Sequence, residues 1–308
     1  MTTENQMPEG LEGLGEMLVE MDPRMAAGMV AGMLQASGCP DPDFDAVELT
    51  RLATGQDPRL SETPLTEEQA AQLARLAAIR FERRPLQYIE GKWGFLDFEV
   101  QVGEGVLIPR QDSEAVCLKA IDLLKGQKAP AVLDLCAGSG CLGLAVKSRY
   151  PAAQVTAVEK SAEALPWLEK NAAEALPGYD AAHPALNVQQ GDVFAWNKGQ
   201  AEGQFDLILA NPPYLTAEEM RTLQPEVEFE PAMALDGGED GLDFYRHIAA
   251  AYRPLTKQGG WLVREFGWQQ WEPVKALLEA AGWQDVQRIL DAEGRDRGAA
   301  ARNGGKTA

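Results

Sequence analysis

From about residue 112 onward, short apolar stretches alternate with longer amphipathic ones, and this rhythm restricts the fold more than any other feature of the chain. It predicts helix over 112–124, strand over 131–136, helix over 141–149, strand over 154–159 and helix over 161–175. Strands over 187–190 and 205–209, helix over 242–255, strand over 260–266, helix over 272–281 and strand over 286–290 complete the series. Short apolar strands between amphipathic helices require a sheet covered on both faces, so an α/β fold with a mostly parallel sheet is expected. The tail from Arg297 to Ala308 is rich in Gly and Ala and is expected to fray at its end.

Upstream the period differs. Leu11, Leu14, Leu18 and Met21, then Met25, Met29 and Met33, recur at helical spacing, with Pro23 and Gly38-Cys39-Pro40 as punctuation. Thr66-Glu67-Glu68-Gln69 has the form of a capping box ahead of Leu73, Leu76 and Ile79 on one helical face. The methionines read as core filler, with an adaptable partner-binding surface as the functional alternative. Near Pro85 the pattern changes again: Leu96, Phe98, Val100 and Val102 alternate with polar residues between Gly91, Gly94, Gly103 and Gly105, as in a half-buried strand of a hairpin. The expected organisation is a helical domain over 1–82, a hairpin linker over 83–110 and an α/β domain over 111–308.

Charge narrows the partners. Among 308 residues, 28 Lys and Arg face 47 Asp and Glu, a formal charge of −19. Residues 1–80 alone carry five basic against fourteen acidic side chains, a solvated acidic face on the plainest reading. Such a surplus repels phosphate backbones, and no basic patch exceeds Arg83-Arg84, so direct nucleic-acid binding is disfavoured. No apolar run approaches the roughly 18 residues of a spanning helix, and the acidic first twenty residues do not resemble a basic leader. A cytoplasmic monomer is expected. Cys39, Cys117, Cys136 and Cys141 form no CxxC pair and only His183 and His247 accompany them, so reduced thiols and no metal site are expected.

Val132 to Gly143 runs from an apolar strand through a glycine turn into a helix. Gly138, Gly140 and Gly143 fit GxGxxG, and Glu159 lies 21 residues beyond Gly138, at the end of the next strand. This arrangement alone serves NAD and S-adenosylmethionine equally, since both need a turn without side chains and a carboxylate for ribose hydroxyls. Two acids tilt the choice toward the sulfonium cofactor. Asp134, just before the turn, suits a cationic amino-acid moiety, and Asp192, followed by Val193-Phe194, could accept from an adenine amino group while an apolar side chain packs its ring. No Gly-Lys-Ser/Thr follows, which excludes a Walker loop.

The strand over 205–209 leads into Ala210-Asn211-Pro212-Pro213-Tyr214. Two prolines fix the backbone and remove two donors, so the carbonyls point outward and Asn211 is held stiffly. The turn falls at the carboxyl end of a parallel strand, where open α/β sheets keep their sites. A planar amide or aryl amine is a weak nucleophile because its lone pair is delocalised. The Asn211 side-chain oxygen and the Pro212 carbonyl could take its two hydrogens while Tyr214 stacks on the flat group, which is catalysis by alignment and fixed dipoles.

Taken together with these motifs, the chain resembles the release-factor glutamine methyltransferases over residues 80–298. Pro85-Leu86-Gln87-Tyr88-Ile89, Val106-Leu107-Ile108-Pro109-Arg110 with Asp112-Ser113-Glu114, the Asp134 loop, Asn211 to Tyr214, Glu230-Pro231, Asp240-Gly241-Leu242 and Glu265-Phe266-Gly267 carry the likeness. Asn-Pro-Pro-Tyr is shared with adenine-specific DNA methyltransferases, whereas the Ile-Pro-Arg and Glu-Pro blocks point more narrowly. The resemblance implies a class I methyltransferase (Rossmann-like) domain with a small N-terminal helical docking domain. It also implies S-adenosylmethionine as cofactor and, as protein substrate, the Gly-Gly-Gln glutamine of peptide chain release factors. By the same resemblance Cys136, Ala137, Gly138, Ser139, Gly140, Glu159, Val193 and Asn211 line the cofactor, and Asn211, Pro212, Pro213 and Tyr214 cradle the glutamine amide. Arg110 is expected either to pin the linker or to touch substrate. Cys136-Ala137 stands where the family usually has Gly-Thr, Glu159 where Asp is common, Ser113 where Thr is usual and Val193 where a bulkier residue can sit. Two alternatives keep the chemistry: a ribosomal-protein glutamine, and the exocyclic amine of adenine in nucleic acid. A third is a non-catalytic protein with a degenerate cofactor pocket.

Overall fold

The computed structural model describes residues 13–304, so Leu11, the first residues of the acidic N-terminus and residues 305–308 lie outside the described residues. Packing divides the chain into two units. One runs to Gly91 and includes Pro225–Phe229; the other comprises Lys92–Gln224 and Glu230 onward.

The first unit contains helices α1 (Leu14–Leu18), α2 (Pro23–Ala36), α3 (Pro42–Thr54), α4 (Glu67–Phe81) and α5 (Leu86–Glu90). Asp22 caps α2 by accepting from the Arg24 and Met25 amides, and Pro23 sits in the first turn, where its missing N–H costs nothing. The capping box forms at α4: Gln69 donates its amide to the Thr66 hydroxyl and accepts the Thr66 amide in return. Leu18, Val30, Leu34, Leu49, Leu73 and Ala77 are fully buried in its core. On α2 the buried stripe is Ala26, Val30 and Leu34, so Met29 and Met33 pack only at its margin and Met25 is 66% exposed. A buried ion cluster completes the unit. Arg80 donates to Asp45 at 2.6 Å and to Glu226 at 2.9 Å, and Arg83 grips the same Glu226 at 2.6 Å. Glu226 arrives from the loop that follows the diproline turn.

The second unit begins with a hairpin of β1 (Lys92–Phe95) and β2 (Phe98–Gln101). Leu96 therefore sits in the turn and not in the strand its alternation suggested, with φ of 53° and its amide donated to Glu114. There follow α6 (Asp112–Leu123), β3 (Ala131–Leu135), α7 (Cys141–Arg149), β4 (Gln154–Glu159), α8 (Leu165–Glu174), β5 (Asn187–Gln190), α9 (Val193–Trp196) and β6 (Phe205–Ala210). Then come α10 (Asp243–Ala251), β7 (Thr256–Glu265), α11 (Trp271–Ala280), β8 (Gln284–Leu290) and β9 (Asp296–Arg302).

Seven strands form one sheet in the order β5-β4-β3-β6-β7-β9-β8, with β9 antiparallel to both its neighbours and the other pairings parallel. The first part of the tail is thus a buried inner strand over 296–302, while its end, expected to fray, lies outside the described residues. Its Gly and Ala are a packing requirement: a Cβ on Gly298 would lie 2.6 Å from the Arg264 carbonyl oxygen and 3.0 Å from Val116 on α6. That close approach overrides the weak strand propensity of these residues. Leu133, Leu135, Ile208 and Phe266 pack with Tyr245, Ile248, Val274 and Leu278 of α10 and α11, each large side chain contributing about 1.5–3 kcal/mol of burial. Successive strand residues face opposite sides, so Asp134, between Leu133 and Leu135, points to the α7 side.

Candidate active site

The sheet order reverses between β3 and β6, because β4 and β5 lie beyond β3 on one side while β7 lies beyond β6 on the other. Open α/β sheets bind ligands at such a point, outside the carboxyl ends of the strands. Registers pair Leu135 with Val158, Leu135 with Ala210 and Ala210 with Arg264. The residues one step further, Glu159, Cys136, Asn211 and Glu265, therefore stand in a row along one edge.

A cleft opens there, with about 1010 Å³ of space including the part open to solvent. One wall is the glycine turn, Cys136 to Ser139. Cys136 and Gly138 have φ of 56° and 52°, and a Cβ added to Gly138 would meet nothing within 4 Å among the described residues. The turn thus shows bare backbone to the cleft, as a ligand approaching the main chain requires. Glu159 is buried at its rim. One oxygen accepts the Gly138 amide at 2.8 Å, the other the Ser161 amide at 2.7 Å, and lone pairs remain for further donors. Asp192 caps α9 through the Phe194 amide and pairs with Lys160 at 2.9 Å. Burial alone would raise its carboxyl, but Lys160 and the Phe194 N–H outweigh burial and hold it low. Val193, Phe194 and Phe244 give the cleft its apolar side, and the two aromatic rings lie 4.9 Å apart.

Two members of the expected cofactor set are placed elsewhere. Asp134 is fully buried and does not line the cleft; its Oδ2 accepts the Gly143 amide at 2.9 Å, which ties the start of α7 to β3. Strand alternation turns it under the loop, so it is not placed to meet a cationic amino-acid group. Its Oδ1 has no partner among the described residues, and burial pushes the carboxyl up to about 8. Gly140 is also absent from the lining. Its φ of 83° starts α7, and a Cβ there would strike Leu168 at 2.6 Å.

On the far wall Asn211 and Pro213 line the cleft, whereas Pro212 and Tyr214 lie beside it. A Cβ added to Gly267 would lie 3.4 Å from the Tyr214 ring, and the Tyr214 hydroxyl reaches Glu265 Oε1 at 3.5 Å; burial, then the Glu265 charge, raises the phenol far above its ordinary range. Its backbone is clamped. Gln270 Nε2 donates to the Tyr214 carbonyl at 3.0 Å, and Leu215 exchanges hydrogen bonds of 2.9 Å with Leu235 and Gly237. Arg110 lines the mouth and pairs with Glu230, a buried carboxylate that also accepts the Ile108 amide at 2.9 Å. Arg110 is thereby both pinned and presented to the cleft.

Several contributors carry no local signal in the sequence. Lys160, Phe244 and Met233 reach the cleft only because the strands that precede them share an edge or because loops fold over it. Ser113 and Glu265 are 98 and 152 residues from the groups they touch, Asn211 and Ser113 respectively. Strand order finds Glu265, which ends β7 beside β6; Ser113, on α6, is signalled only by the family likeness of its block.

Comparison with known proteins agrees with this geometry. A family model described as the methyltransferase small domain matches residues 116–229, and one described as the PrmC N-terminal domain matches 29–91. A release factor glutamine methyltransferase of Geobacter sulfurreducens is 40% identical over 236 residues, 76% of this chain and 78% of the relative. Relatives of the same name from Caulobacter vibrioides and Streptomyces coelicolor are 35% and 34% identical over 86% and 87% of this chain, and over 90% and 94% of their own lengths.

Proposed function

The chain belongs to the family of release factor glutamine methyltransferases, and we propose that it methylates the side-chain amide of the Gly-Gly-Gln glutamine in peptide chain release factors, in the cytoplasm. S-adenosylmethionine, when bound, supplies an electrophilic methyl group on a sulfonium centre. The cleft fits such a group: a turn whose backbone is bare at Gly138, a rim carboxylate with spare lone pairs and an apolar aromatic side. Cys136, Ala137, Gly138 and Ser139 would hold it along the turn, with Glu159, Asp192, Val193 and Asn211 around its remaining faces.

The chain's own residues carry the acceptor chemistry. Asn211 Oδ1 and the Pro212 carbonyl accept the two N–H groups of the glutamine amide and draw its nitrogen out of conjugation. The clamped elbow holds those oxygens still, so little reorganisation is needed as charge develops. Tyr214 packs against the flat amide from the side. Held by these two acceptors, the glutamine nitrogen would take the methyl group that the bound cofactor would supply and would give up one proton to water. Neither acceptor titrates near neutral pH. To the helical unit we assign docking of the protein substrate, and to Arg110 a contact at the cleft mouth.

The observation that carries this reading is Asn211 standing one strand away from the glycine turn on the same cleft. Incubation with methyl-labelled cofactor and a release factor, followed by peptide mass spectrometry, is expected to show one methyl on the Gly-Gly-Gln glutamine. Asn211→Ala is expected to lower kcat roughly 100-fold while the fold survives. Absence of label from that glutamine, or undiminished turnover by Asn211→Ala, would overturn the assignment.

A further inference from the structure

Two buried polar side chains behind the acceptor elbow have no part in the chemistry above. Ser113, in the first turn of α6, and Glu265, at the end of β7, are each 1% exposed. Glu265 Oε2 accepts the Ser113 hydroxyl and Oε1 accepts the Tyr214 hydroxyl. An ionised carboxylate has no proton to give, so the single proton of the Ser113 hydroxyl is committed to it. Ser113 Oγ can then face Asn211 only as an acceptor, and Asn211 Nδ2 donates to it at 3.5 Å. With the NH2 end of the amide engaged there, the oxygen end is left for the cleft.

We propose that Ser113 and Glu265 are positioning residues that fix the orientation of the Asn211 side-chain amide, so that its oxygen and not its NH2 meets the acceptor nitrogen. This rests on the glutamine reading above and deepens it. The two ends of an amide are almost the same size, and its terminal torsion is soft with two near-equivalent settings, so packing alone cannot tell them apart. Only the direction of a hydrogen bond can. A reversed Asn211 would set its own N–H groups against those of the substrate.

The chain of donors reverses if Glu265 gains a proton. Glu265 is faced by Ser113 and Asp112 of α6, Arg110 before it, Tyr214 after β6, Tyr245 of α10, Arg297 of β9, and the Cys117 and Cys141 thiols. Burial dominates over the Ser113 hydrogen bond and the two arginines, and pushes the carboxyl up to about 7. Below that pH a protonated Glu265 donates to Ser113, whose proton turns toward Asn211 and demands the oxygen end. Glu265→Gln imposes the same reversal at every pH when its NH2 faces Ser113.

The test has two independent readouts. In kinetics with the release-factor substrate, Ser113→Ala and Glu265→Gln are expected to lower kcat about tenfold or more, with KM changed less than about threefold. Ser113→Thr, which keeps the hydroxyl, is expected to restore most of the rate. The acid limb of the wild-type kcat profile near pH 7 is expected to vanish in Glu265→Gln. In the second readout, the side-chain amide resonances of Asn211 in nitrogen-15-labelled wild-type protein, without substrate, shift with a midpoint near pH 7. If those resonances do not move between pH 5.5 and 8.5, or if Ser113→Ala keeps the wild-type kcat, the positioning role is refuted. The resonance titration needs neither substrate nor variant, so it decides the relay even if the wild-type protein leaves the release factor unmodified, the result that instead sinks the substrate reading.

Discussion

Replacing Gly237 by alanine puts a methyl group against the backbone of the acceptor elbow. The added Cβ would lie 2.7 Å from Tyr214 Cα, 2.9 Å from its carbonyl carbon and 2.9 Å from Gly241 Cα. Carbon atoms rest at about 3.5–4.0 Å, so one backbone must retreat by roughly 1 Å. The Gly237 segment cannot retreat freely, because its amide donates to the Leu215 carbonyl at 2.9 Å and Leu215 donates to the Leu235 carbonyl at 2.9 Å. Gln270 holds the Tyr214 carbonyl from a further side. The displacement therefore passes to Asn211-Pro212-Pro213-Tyr214. A misplacement of about 1 Å in a site that works by alignment costs on the order of 100-fold in rate. Overpacking of this kind destabilises by about 1–3 kcal/mol, which lowers Tm by about 2–4 °C for each kcal/mol in a domain of this size. Single-turnover methyl transfer, calorimetric cofactor binding and a thermal melt on the same preparation separate the two effects. The expected result is kcat down about 100-fold, cofactor Kd within about threefold and a folded protein. If Gly237→Ala turns over within threefold of wild type, the elbow is not held by this backbone contact and the reasoning fails.

Two further outcomes follow from buried charges. Asp134 titrates near 8 in the folded protein, well above its unfolded value near 3.9, so its contribution to stability is full below about pH 4 and is lost as pH rises to about 8. Asp134→Asn is expected to flatten that slope, making the variant more stable than wild type at pH 8.5 by up to a few kcal/mol; urea unfolding at pH 5 and 8.5 that shows parallel changes in both proteins would contradict it. In the helical unit, Asp45→Ala strips Arg80 of a 2.6 Å partner at a side chain only 4% exposed, and is expected to cost about 3 kcal/mol. A loss below 1 kcal/mol in chemical denaturation would show that Glu226 alone satisfies Arg80.

The features legible in the sequence are those whose cause spans a few residues. The capping box at Thr66, the positive-φ glycine turn and the stiff diproline elbow follow from local dihedrals and local donors, and the structure forms each of them. The strand and helix alternation from residue 112 was readable for the same reason, apart from end shifts of a few residues and the unread α9 and β9. Misreadings arose where distance in sequence mattered. Leu96 satisfies an alternation yet turns a hairpin because its amide finds Glu114. Asp134 sits in the right motif yet faces α7, since the pleat decides its side. The Gly and Ala of 296–302 look like a loose tail until α6 is seen to press on that strand.

By itself, then, the chain's order of residues settled most of the elements, the two recognisable turns and the family. Tertiary structure alone decided which strand ends became neighbours, and so that Ser113 and Glu265 stand behind Asn211, that Glu226 pairs with Arg80 and Arg83, and that β9 inserts between β7 and β8. The physical reason is range: dihedral preference and hydrophobic period act over one or two turns of chain. The meeting of groups a hundred residues apart depends on strand order, which no short window of sequence contains.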